Sequence, residues 1–91
     1  MTIRTFGIGH VHFNVLRIKR FLEIMGRLFG ADITPISQLV QLGAYNACVH
    51  FPAEGMTSSF LDVFQPGGDS DQVAEHIRDR GQGISHVAFR V

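Results

Sequence analysis

The sequence predicts an α+β domain in the order strand, helix, three strands, helix, strand, with an antiparallel sheet and both helices on one face. Three observations predict it. GIGHVHFNV at residues 7–15 returns as GISHVAFRV at 83–91, agreeing at six positions of nine with an offset of 76 residues. Between the copies, Ile18, Phe21, Leu22, Met25, Leu28 and Phe29 recur at steps of three and four, the stripe of an amphipathic helix. The remaining segments alternate apolar and polar residues in short runs broken by Pro and Gly, as half-buried strands do.

In the first strand Val11, Phe13 and Val15 point one way and Ile8, His10, His12 and Asn14 the other. The first helix carries Arg17, Lys19, Arg20, Glu23 and Arg27 on its polar side, the ordinary charge of a solvated face, and Gly30 is placed to stop it in a left-handed conformation. Residues 33–40 are a β-branched stretch interrupted by Pro35, which suits an edge strand. After Gly43 a third strand alternates Tyr45, Ala47, Val49 and Phe51 with Asn46, Cys48 and His50, and ends in a turn over residues 52–55. Residues 58–65 form the fourth strand, with Leu61 and Val63 toward the helix and Phe60, Asp62 and Phe64 on the opposite face. Pro66, Gly67 and Gly68 turn the chain. Asp69 is placed to cap a second helix with Gln72 completing a capping box, and Val73, Ala74 and Ile77 form its apolar stripe up to about Arg80. The repeat strand follows, with Ile84, His86, Ala88 and Arg90 matching the non-core face of the first copy.

Ninety-one residues make one small domain with a limited core. Hydrophobic residues at 45% and charged residues at 18% are ordinary globular composition, and no apolar run approaches the roughly 20 residues that span a bilayer. Eight basic and eight acidic residues give a formal charge of zero, so no long-range field steers the chain to nucleic acid or an anionic membrane. Cys48 is the single cysteine and no secretory leader opens the chain, which points to the cytoplasm.

His10, Asp62 and His86 all fall on faces turned away from the helices, and His12 lies beside them. A carboxylate between two phenylalanines costs free energy unless it is hydrogen-bonded, paired or bound to a cation. Two imidazoles and a carboxylate form a common ligand set for Zn, Ni, Co, Fe or Mn with positions open for substrate. Single histidines are also held by backbone carbonyls in purely structural roles, and the spacing leaves both readings open. Arg90, of the same parity as His86, is the alternative partner for Asp62.

IGHVHFNV, FLEIMGRLFGADIT, LDVFQP and EHIRDRGQGISHVAFRV make nearly the whole chain similar to the vicinal oxygen chelate superfamily, which includes glyoxalase I, extradiol dioxygenases and bleomycin-resistance proteins, and most of all to methylmalonyl-CoA epimerases. The resemblance implies a single glyoxalase-like domain over residues 1–91, a βαβββ module with a second helix and the first strand of a second module after it, either truncated or completed by dimerisation. It implies a divalent-metal site at His10, Asp62 and His86, with His12 a further candidate, and a small-molecule pocket that takes in Asn46, Phe60, Phe64 and Arg90. The family often has Gln or Glu where this chain has Asp62, and its fourth ligand, a glutamate on the last strand of the second module, has no counterpart. Three functions follow as expectations: a metal-dependent epimerase or lyase acting beside a carbonyl or thioester, a metal-free ligand-binding module of the resistance-protein kind, or a degenerate half-module. None of Asn46, Cys48 and His50 replaces a glutamate base. The catalytic base stays unassigned.

Overall fold

The structure, a computed structural model, describes residues 7–51 and 59–90. It contains β1 (Gly7–Asn14), α1 (Ile18–Phe29), β2 (Asp32–Ile33), β3 (Ser37–Leu39), β4 (Ala44–His50), β5 (Phe60–Pro66), α2 (Gln72–Arg80) and β6 (Gly83–Arg90). The expected turn at residues 52–55, the expected strand start at Ser58, and Val91 lie outside the described residues. Among the described residues no helix is long and apolar enough to cross a membrane.

The class and the alternation of strands and helices are those the sequence predicts, but four strands stand between the helices where three were expected, and the sheet is mixed, not antiparallel throughout. Its order is β2-β4-β5-β1-β6, with β3 also on β4. The pair β1–β5 is parallel and the others are antiparallel. The reason is the crossover: α1 carries the chain back before β2, so β2 and β3 run in the direction of β1. Two reversals later β5 does too, and it enters the sheet beside β1.

Ile18 and Leu22 of α1 bury against Val15, Ala47, Val49 and Val63, with Phe13, Phe21, Met25 and Leu61 packed around them. The stripe runs past the sheet edge, for Leu28 is 73% exposed and Phe29 56%, so only its first two turns do core work. Gly30 ends the helix at φ 63° and ψ 29°, and its N–H donates to the Gly26 carbonyl. Pro35 splits the expected edge strand into β2 and β3. Thr34 bridges the break, its N–H donating to the Cys48 carbonyl at 3.0 Å while its Oγ1 accepts from the Cys48 N–H at 2.8 Å.

The cap of α2 is Asp71, not Asp69. Its Oδ1 accepts from the Ala74 N–H at 2.9 Å and its Oδ2 from the Gly67 and Gly68 N–H groups at 3.1 and 3.0 Å. Asp69 instead offers its carbonyl to Arg78 Nη1 at 3.0 Å. The helix lays Val73 and Ile77 on Ala44, Phe64 and Leu39 at the end of the sheet.

The two repeat strands pair with each other. Val11 stands across from Val87, its equivalent at an offset of 76, and His10/Ala88 and His12/His86 flank that pair. An antiparallel pair centred on equivalent residues has a local two-fold axis through its centre. His10 and His86, each one residue from Val11 and Val87, are therefore related by it.

Candidate functional site

The residues of the polar face come from four adjacent strands. In register, His10, His12 and Asn14 of β1 stand beside Phe60, Asp62 and Phe64 of β5, and Asn46 and Cys48 of β4 stand beside Phe64 and Asp62. Asp62 is thus flanked by His12 on one side and Cys48 on the other. Its side chain is 20% exposed and held on one oxygen: Asn46 Nδ2 donates to Oδ1 at 2.6 Å and to the Val63 carbonyl at 3.1 Å. Cys48 Sγ approaches the same oxygen at 3.7 Å. Burial first, and then the Asp62 carboxylate, push the Cys48 thiol up, so it acts as an S–H donor and not as a thiolate.

Asp62 Oδ2 faces His10 Nε2 at 4.0 Å. That gap exceeds a hydrogen bond but is less than twice the roughly 2.1 Å bond of zinc to either ligand, so one ion could join the two. His86 lies on the same side, its ring centroid 6.3 Å from that of His10 and 4.4 Å from that of His12. Among the described residues no three His, Cys, Asp or Glu side chains converge on one point that could hold a metal. The donors fit a borderline divalent ion in chemistry, and His10 and Asp62 fit in spacing. The third donor does not close the set.

Aromatic rings wall the site. Phe60 sits between His10 and His50, with centroids at 5.3 and 5.1 Å, and Phe64 stacks on His12 at 4.0 Å. Phe64 is only 5% exposed, so it backs His12 from beneath α2. His12 Nε2 bonds Asn14 Oδ1 at 2.9 Å. Burial above all lowers the His12 pKa; the Asn14 bond opposes this and the nearby His86 adds to it, so the ring is kept neutral. Arg90 of β6 stands across from Gly7 of β1, at the opposite end of the strand pair from Gly83. Tyr45 lines a different cavity, near the start of α1 with Ile18, Ile36 and Gln65.

Two residues of this region were not among the expected ones. Asn14, 2% exposed, orients His12. His76 of α2 lines a cavity with His12 and His86. Both signals were in the sequence: Asn14 shares the parity of His10 and His12, and His76 lies three residues from Val73, on the packed side of the helix.

This arrangement is a glyoxalase-like fold. Among solved structures, the chain is similar to methylmalonyl-CoA epimerase from Mycobacterium tuberculosis, with TM-score 0.83 and 22% identity over 100% of this chain and 60% of that one. It is also similar to a Streptomyces coelicolor methylmalonyl-CoA epimerase variant in complex with 2-nitronate-propionyl-CoA, with TM-score 0.79 and 17% identity over 94% of this chain and 62% of that one. A hypothetical protein from Bacillus halodurans C-125 gives TM-score 0.79 and 23% identity over 92% and 57%. The chain spans about three fifths of the length of these structures. No family model matches it, and no curated protein does.

Proposed function

We propose that the polar face is the metal-binding half of a vicinal oxygen chelate active site, in a cytoplasmic enzyme of epimerase or lyase type acting beside a carbonyl or thioester. The observation that carries this reading is the open 4.0 Å gap between His10 Nε2 and Asp62 Oδ2, with Asp62 fixed from behind by Asn46. His10 and Asp62 would hold the ion, with His86 as the third donor from the symmetry-related strand. A bound divalent ion supplies Lewis acidity to an oxygen of the substrate. The chain's own residues fix the carboxylate through Asn46, back His12 with Phe64 and exclude water along Phe60. The likeness to methylmalonyl-CoA epimerases supports a small acyl substrate.

The same reading makes the protein a homodimer in which each copy completes the other's site. Supporting it, β6 lies at the sheet edge among the described strands, and Ile84, Val87 and Phe89 on it are 58, 39 and 63% exposed.

Elemental analysis and titration calorimetry with Zn, Co and Mn test the proposal. The expected result is saturable binding that weakens by about tenfold or more in Asp62→Asn and in His10→Ala, with the thermal midpoint of Asp62→Asn near that of the wild type, since removing a partly buried charge also removes its desolvation cost. Unchanged metal affinity in both variants overturns it. The second reading, a metal-free binding module, draws on the third donor's failure to converge. Metal-free protein that binds apolar ligands selects that reading.

A further inference from the structure

A cavity of about 510 Å³ opens at the start of α1. Leu16, Ile18 and Ile36 give it an apolar wall, and Arg17, Lys19, Tyr45 and Gln65 supply its polar groups. Tyr45 and Gln65 share the strand parity of Val49 and Val63, which pack against Ile18, so the cavity lies across the sheet from His10, Asp62 and His86. None of those three lines it. Its volume falls within the roughly 300 to 1,000 Å³ of pockets that take small organic ligands.

We propose that this cavity binds an amphipathic organic acid, its carboxylate held by Arg17 and Lys19 and its apolar body lying over Leu16, Ile18 and Ile36. Charge sets the first half of that chemistry. The lining holds a guanidinium and an ammonium and no acid, so an anion is attracted and nothing there repels it. The two cations are also unspent. Arg20 and Arg27 pair with Glu23 at 3.5 and 3.4 Å, whereas Arg17 and Lys19 have no ion-pair partner among the described residues. Gln65 adds a neutral donor: its Oε1 accepts from the Ile18 N–H at 2.8 Å, so Nε2 is the end it has left for a ligand.

The apolar wall sets the second half. Ile18 is 2% exposed and anchored in the core, while Leu16 is 53% exposed, so a hydrocarbon body laid over it removes apolar surface that the chain itself leaves in water. An inorganic anion uses only the cations, and an uncharged apolar molecule only the wall. An acid with a hydrocarbon body uses both. Periodicity alone assigns Arg17 and Lys19 to a solvated helix face, and the cavity is what gives these two members of that face an apolar neighbour. The site needs no metal and shares no residue with the His10 and Asp62 reading, so either stands or falls without the other.

The test is titration calorimetry on the whole chain in EDTA, with octanoate as the probe, octanol as its uncharged analogue and acetate as the anion without a body. Octanoate is expected to bind saturably, about tenfold or more tightly than either control, and to weaken as salt is raised. The double variant Arg17→Gln, Lys19→Gln changes two exposed side chains and should keep the wild-type thermal midpoint. It is expected to bring octanoate down to the affinity of octanol and to leave octanol where it was. Leu16→Ser is expected to weaken octanoate and octanol alike. Octanoate and octanol binding equally to the wild type overturns the proposal, as does an unchanged octanoate affinity in the double variant or the absence of saturable octanoate binding. Because every titration is run without metal, each of these failures leaves the reading of His10 and Asp62 untouched.

Discussion

The Asp71 carboxylate accepts three backbone N–H bonds at the turn into α2. Burial alone would raise its pKa, but the backbone N–H groups of Ala74, Gly68 and Gly67 together outweigh that and hold it below the ordinary carboxylate value. A carboxyl whose folded pKa is lowered contributes stability above its unfolded pKa and loses it as pH falls toward the folded one. Asp71→Ala is therefore expected to cost about 1 kcal/mol near neutral pH, the usual value of a helix N-cap. The difference in thermal midpoint between wild type and variant should shrink as pH falls through and below 3.8, the unperturbed value. Thermal unfolding of both proteins across that range checks it. A difference that stays constant into acid would show that the hydrogen bonds do not depend on the ionised carboxylate. The sequence misled here because Asp69 and Asp71 both offer a capping side chain, and only the path of the chain after Gly68 decides which one faces the helix.

At the scale of elements, the turn between β5 and α2 is built against the turn between β3 and β4. A Cβ at Gly67 would lie 1.9 Å from the Gly43 carbonyl oxygen, so the two turns touch backbone to backbone. That contact seats α2 over Ala44 and Phe64, and with it His76 beside His12. Gly67→Ala is expected to destabilise by about 1–3 kcal/mol, the range for overpacking a tight contact. It should also disturb the amide resonances of α2, which NMR would read alongside the unfolding midpoint. Unaltered stability would mean that the turn can retreat without moving the helix. Strand β1 is the other element on which the site depends, because it is paired on both edges, by β5 in parallel and by β6 antiparallel. Its polar residues are held in register from two sides, which fixes His10 and His12 more firmly than an edge strand could.

For the whole molecule, the local two-fold through Val11 and Val87 makes β6 a mirror of β1's role, with its apolar side chains exposed. Dimerisation through that edge is the proposed outcome, and analytical ultracentrifugation across micromolar concentrations measures it. Phe89→Lys should shift the equilibrium toward monomer by placing a charge in the contact. A wild-type protein that sediments as a monomer throughout would remove the argument.

The sequence by itself determined the alternation of strands and helices, the α1 stripe with its Gly30 stop, the break at Pro35, and the fact that one strand returns as another, because each of these is written in local periodicity or in direct repetition. It also placed His10, Asp62 and His86 on faces turned away from the first helix, since strand parity follows from the pattern of Val11, Phe13, Leu61 and Val63. It did not determine that β5 runs parallel to β1, that Asn46 holds Asp62, or that His86 settles against His12. Those are contacts between residues far apart in the chain, fixed by strand order and register. Only tertiary packing chooses them, because the same alternating strands satisfy their local preferences in any order.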